Sequence, residues 1–182
     1  DGGIGAIELT LRTAAGMDAL KAICGGVPEM LIGVGTILTT QSVREVKAAG
    51  AHFGVAPGMN PSVIAAAKEF DLPFAPGIAT PSDLEAAIEL DCRFVKFFPA
   101  EAMGGIAYLR SMSAPYKHLG IEYFPLGGVN AENMNRYLAE PNVPAVGGSW
   151  IVKQQLVEKQ DWSGISARAA EVIAKVKEGV NE

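Results

Sequence analysis

Lys96 stands inside RFVKFFPAE (93–101), a run that otherwise reads as a buried β-strand. Side chains alternate along a strand, so Phe94, Lys96 and Phe98 share one face while Val95 and Phe97 share the other. Taking an ammonium out of water is costly. An amine between apolar walls is held back from charging and is the better nucleophile, the state that Schiff-base formation with a carbonyl requires. A strand-end lysine that carries its charge out to solvent would satisfy the same pattern, and from this strand alone both readings stand.

A second stretch, IELTLRT (7–13), bears on the choice. Ile7, Leu9 and Leu11 form one face, and Glu8, Thr10 and Arg12 the other. Such a polar face suits a solvated edge strand in an antiparallel sheet, but less so a parallel sheet covered on both sides. In a parallel fold it reads as a functional face: Glu8 as a proton shuttle beside an amine, Arg12 as a fork for a carboxylate or phosphate. Glu101, just past the lysine strand, is either a second acid/base or a helix-start residue. Two glycine pairs follow, in PLGGVN (125–130) and VGGSW (146–150). Glycine lets backbone N–H groups approach an anion closely, so Gly127, Gly128 and the second pair, with the Ser149 hydroxyl, read as a phosphate site or as ordinary turns. His52 and His118 are the only histidines and have no HxH or HExxH spacing, so no bound metal is expected. Cys24 and Cys92 belong to no CxxC pair and read as ordinary reduced thiols.

These residues need a frame. The chain has 182 residues, 49% hydrophobic and 19% charged, with a net charge of -5. That is one domain's worth (1–182), with neither the disorder nor the basic surface that a nucleic-acid partner demands. No apolar run reaches the roughly 18 residues needed to span a membrane, and a cytoplasmic location is expected. Seven strand-like runs alternate with helical patterns: 6–11, 31–36, 52–56, 73–77, 94–98, 121–126 and 144–148. Thr40, Asn60, Thr80 or Ser82, and Asn130 stand where helix caps are expected, and a long amphipathic helix closes the chain over about 163–178. Strands separated by crossover helices imply a parallel α/β fold. No GxGxxG follows the first strand, as an open dinucleotide-binding sheet would predict. Polar residues at many strand ends, with anion loops after the last two, fit a (β/α)8 TIM barrel lacking its first strand and helix in this chain.

In this order, IELTLRT, GVGTIL, APG, VKFFPAE, GGV and GGSW resemble the bacterial 2-keto-3-deoxy-6-phosphogluconate (KDPG) and 4-hydroxy-2-oxoglutarate aldolase family across essentially the whole chain. The resemblance implies a metal-free, cofactor-free class I aldolase on a (β/α)8 barrel, a homotrimer acting in the Entner–Doudoroff route. It implies Lys96 as the Schiff-base lysine and Glu8 as the general acid/base. Arg12 and Thr36 would hold the substrate carboxylate, Pro57 and Phe98 would wall the pocket, and Gly127, Gly128 and Ser149 would bind phosphate. The expected substrate is 2-dehydro-3-deoxy-6-phosphogluconate, with 4-hydroxy-2-oxoglutarate or the galactonate epimer as alternatives, and a non-catalytic sugar-phosphate-binding barrel as a rival of another class. Two departures stand out. The family's opening strand, with a basic residue near the phosphate, is absent, and Leu126 occupies a position where members commonly carry threonine.

Overall fold

The computed structural model describes residues 2–180. Its strands are β1 (Ala6–Thr10), β2 (Leu31–Gly35), β3 (Phe53–Val55), β4 (Phe74–Ala75), β5 (Gly77–Ile78), β6 (Phe94–Phe97) and β7 (Glu122–Pro125). All pairings are parallel and follow chain order, β1-β2-β3-β4 in one sheet and β5-β6-β7 in the other. Between them run α1 (Gly16–Gly26), α2 (Thr40–Ala48), α3 (Pro61–Glu69), α4 (Pro81–Glu89), α5 (Gly105–Ser113) and α6 (Met134–Leu138), with α7 (Gln154–Glu158) and α8 (Trp162–Val180) last. The long closing helix is where the pattern placed it. Among the described residues no helix is long and apolar enough to cross a membrane.

The strand expected over 73–77 is two short segments, and Pro76 is the reason. Proline has no N–H to give the ladder. Its carbonyl instead accepts from Lys96 N (2.8 Å), while Ala75 O accepts from Ala56 N (3.2 Å). The chain thus changes sheet at Pro76 and ties the two halves into one curved strip of parallel strands.

The expected strand over 144–148 forms no ladder. Tyr123 N donates to Asn142 O (2.8 Å), just ahead of the segment, and Gly147 N to Pro125 O (3.1 Å), so the chain runs beside β7 and the segment itself is bonded to it once. Pro144 has no N–H to add a bond between these, and no described strand lies on its other flank.

Two apolar layers lie between strands and helices. Leu20, Ile32, Val34, Val43, Val46 and Val63 pack under α1–α3. Val95, Phe97, Leu109, Tyr123, Met134 and Tyr137 pack under the later helices. The caps follow sequence chemistry with two shifts. Asn60 caps α3, but α2 is capped by Thr39 rather than Thr40, because Thr39 is the extended residue whose hydroxyl meets Ser42 N. Asn130 serves a turn, not a helix start: its Oδ1 accepts from Glu132 N, and α6 begins only at Met134. Thr80 and Asp83 form a reciprocal capping box on α4. Thr80→Ala is expected to destabilise the protein by about 1 kcal/mol, read as a lowered midpoint in urea with an unchanged slope.

Candidate active site

Alternation along β6 sorts its side chains as the sequence indicated. Val95 and Phe97 are fully buried toward the helices, where Phe97 stacks on Tyr108 of α5 with ring centroids 6.1 Å apart. Lys96 points to the other face, flanked by β5 at Gly77 and by β7 at Phe124. Its side chain is only 7% exposed, so it does not reach out to solvent.

Instead Lys96 Nζ donates to Glu8 Oε1 at 3.1 Å, across 88 residues of sequence and between the two sheets. Phe98 lies alongside, its ring centroid 5.3 Å from Nζ. The amine thus faces both an aromatic wall and the carboxylate that the sequence set beside it. Glu8 is itself 12% exposed, and its Oε2 is buried without a protein partner. That oxygen can take up or release a proton while Oε1 stays against the lysine.

Room for this pair comes from a feature that sequence reading passed over. A Cβ on Gly35 would fall 2.0 Å from Glu8 Oε1, and a Cβ on Gly33 would fall 2.0 Å from the Phe53 ring. The glycines of LIGVGT, two apart and hence on one strand face, are spaces that Phe53 and Glu8 occupy. A G-x-G alternation inside a β-run was the available signal.

The other sequence-indicated residues lie at the C-terminal ends of these strands. Arg12 follows β1, is exposed, and has no side-chain partner among the described residues. Thr36 follows β2 with φ 64°, a left-handed conformation that β-branched residues rarely adopt. Leu11 N donates to Gly35 O (3.0 Å), which ties these two strand ends together. Pro57 follows β3, and its carbonyl carbon would lie 2.3 Å from a Cβ on Gly77. Phe98, half-buried, follows β6 and precedes a cis Pro99.

Gly127 and Gly128 follow β7 with φ of 93° and 85°. Side chains there would also collide, since a Cβ on Gly128 would lie 2.5 Å from Glu101 Cβ. Within the described residues, the N–H groups of Gly127, Gly128 and Val129 donate no hydrogen bond, nor do those of Gly148, Ser149 and Trp150. Ser149 is exposed. Arg168 of α8 fixes the second loop, its Nε and Nη2 donating to Trp150 O at 3.1 and 2.9 Å. Two adjacent loops offering unused N–H groups suit an anion.

Glu101 is not brought to Glu8. Its carboxylate accepts from the Tyr137 hydroxyl, and its N–H donates to Gly127 O (2.9 Å). Burial first, then the Glu101 hydrogen bond and charge, push the Tyr137 phenol far above its usual range, so it remains a donor. His52 is structural: its Nδ1 accepts from Ile32 N (2.9 Å). Among the described residues no three His, Cys, Asp or Glu side chains could hold a metal. Both cysteines are free, and burial raises the pKa of the Cys92 thiol.

A buried amine–carboxylate pair inside a curved parallel α/β sheet, with polar groups on the strand ends, defines a barrel-type enzyme. The chain belongs to the KDPG and KHG aldolase family, whose model matches residues 1–168. It is 38% identical over 175 residues to 2-dehydro-3-deoxy-phosphogluconate aldolase of Haemophilus influenzae, covering 96% of this chain and 82% of that one. It is similar to the crystal structure of KDPG aldolase from Legionella pneumophila with pyruvate captured as a covalent carbinolamine intermediate. The TM-score is 0.89 at 37% identity, over 94% of this chain and 82% of that one. The aldolase of Zymomonas mobilis with 3-phosphoglycerate gives a TM-score of 0.87 at 33% identity, over 94% and 79%.

Proposed function

We propose that this chain is a class I aldolase that cleaves 2-dehydro-3-deoxy-6-phosphogluconate to pyruvate and glyceraldehyde 3-phosphate. The observation that carries the reading is the contact between Lys96 and Glu8. Transfer of one ammonium proton across 3.1 Å to Glu8 leaves a neutral amine beside a carboxylic acid. The amine attacks the C2 ketone, and Glu8 returns its proton to the departing hydroxyl as the carbinolamine loses water. The iminium that remains is an electron sink. Glu8, again a carboxylate, takes the C4 hydroxyl proton, the C3–C4 bond breaks, and its electrons pass to the iminium nitrogen. Glyceraldehyde 3-phosphate leaves. Glu8 then protonates C3 of the enamine, and water releases pyruvate and Lys96.

Arg12 and Thr36 hold the substrate carboxylate, Pro57 and Phe98 wall the pyruvyl portion, and Gly127, Gly128 and Ser149 receive the phosphate. The unused N–H groups of the two glycine loops support that last role, since a dianion accepts several at once. The covalent pyruvate in the Legionella relative supports the first step. Coupling pyruvate release to lactate dehydrogenase tests the reading. Turnover of the phosphorylated substrate that chelators leave untouched is expected, and a folded protein giving no pyruvate would overturn it. The same pyruvyl site accepts 4-hydroxy-2-oxoglutarate, releasing glyoxylate. The family's double name favours this second substrate.

Family membership further supports one domain over residues 1–182, working as a cytoplasmic homotrimer without a cofactor. Light scattering on the eluting protein is expected to return three times 19.0 kDa.

Gly35 makes a distinct forecast. A methyl there displaces the Glu8 carboxylate, the movable end of a flexible side chain, so the fold survives while the 3.1 Å contact is lost. Gly35→Ala is expected to lower kcat about a hundredfold, as misplacement by an ångström does. Single-turnover kinetics beside a melting curve would check this, and an equal loss in a Glu8→Ala background would mean that Gly35 acts by another route.

A further inference from the structure

Asn133 occupies the residue just before α6 and leaves that helix uncapped. An asparagine there normally accepts from the second or third N–H of the helix. Its side chain makes no such bond. It turns back instead: Asn133 Oδ1 accepts from Asn130 N at 2.8 Å, and Asn133 Nδ2 donates to Gly128 O at 3.2 Å. Asn130 Nδ2 reaches the same carbonyl at 3.3 Å.

What this does follows from peptide geometry. In a trans peptide the carbonyl of one residue and the N–H of the next point in opposite directions. Leu126 O is held by Ala100 N (2.8 Å) and Gly127 O by Glu101 N (2.9 Å), which aims the N–H groups of Gly127 and Gly128 away from that wall. Both anchors are backbone. The third carbonyl, Gly128 O, sets the direction of the Val129 N–H and has only the two asparagine side chains to hold it. Gly127 and Gly128, with φ of 93° and 85°, have wide freedom to turn their peptides elsewhere, so the loop needs the anchor.

We propose that Asn133 is a positioning residue for substrate phosphate: it fixes the peptide after Gly128 so that three N–H groups of this loop converge on the anion. The proposal rests on the phosphate reading of the glycine loops given above. It does not place Asn133 in contact with substrate. It makes Asn133 matter for phosphorylated substrates alone.

Steady-state kinetics on the full chain test this, with the phosphorylated keto-deoxy acid and 4-hydroxy-2-oxoglutarate run side by side and inorganic phosphate as inhibitor. Asn133→Ala is expected to raise KM for the phosphorylated substrate about tenfold, the worth of a hydrogen bond to a charged group, and to weaken phosphate inhibition by a similar factor. Turnover of 4-hydroxy-2-oxoglutarate and borohydride trapping of pyruvate are expected to be unmoved. Asn133→Asp keeps the acceptor for Asn130 N–H, loses the donor to Gly128 O and adds a negative charge, so its KM rises further. Being isosteric, it carries the test if the alanine variant fails to fold. A loss shared equally by both substrates, or an unchanged KM for the phosphorylated one in a folded variant, overturns the proposal. Failure of the phosphate reading itself shows earlier: the unsubstituted protein would then be insensitive to inorganic phosphate and indifferent to the substrate's phosphoryl group.

Discussion

Lys96→Ala protein treated with pyruvate and borohydride gains no mass, whereas the unsubstituted chain gains one reduced pyruvyl group that peptide mapping places on Lys96. Cleavage activity falls to background with it, because among the described residues no other lysine is both buried and set against a carboxylate. Stability moves as well. Removing the lysine leaves Glu8 with neither oxygen partnered in a site where it is only 12% exposed. Breaking a buried pair from one side costs about 3 kcal/mol or more, since the remaining charge is left uncompensated. Lys96→Met/Glu8→Gln, which removes both charges at nearly constant volume, is expected to recover most of that loss while remaining inactive. An adduct that persists in Lys96→Ala would move the chemistry to another amine. A double variant no more stable than the single one would mean that the ion pair is not what holds this region.

Glu8→Gln is expected to lower kcat by about 10² to 10⁴, the range for loss of a general acid/base. The amide keeps the side chain's size and still accepts from Nζ, so substrate binding and KM change little. What it cannot do is carry a proton. The mechanism uses that proton at dehydration, at bond cleavage and again at C3. Slow dehydration predicts that borohydride traps pyruvate on Lys96 more slowly, but on the same residue. Rapid-quench trapping would separate the two effects. A variant that forms the iminium at the normal rate and stalls only in cleavage would confine Glu8 to the later steps.

Much of this site was legible in sequence because strand alternation is a strict rule. Lys96 and Glu8 each broke an apolar pattern on a strand, and in a covered parallel sheet such a break has few structural uses. Their distance was not legible. It depends on the curvature of a strip that switches sheets at Pro76, and nothing local to IELTLRT or FVKFF encodes that. The 144–148 segment had strand composition but lacks the partners that make a strand. Thr39 and Thr40 offer the same hydroxyl, and only backbone conformation decided between them. Gly33 and Gly35 were present in plain view, yet a glycine in sequence says that room exists without saying what fills it. Asn130, not Asn133, stood where a helix cap was expected, and the turn of Asn133 back toward Gly128 depends on where the glycine loop lies in space.

The placement of Lys96 on one sheet and Glu8 on the other also bears on how the protein is made. During synthesis residue 8 emerges long before residue 96, and the reactive pairing is absent until both halves of the strip have joined. A growing or half-folded chain therefore holds no activated amine with which to capture stray carbonyl metabolites. Reactivity arrives together with the completed fold, and the amine is armed last.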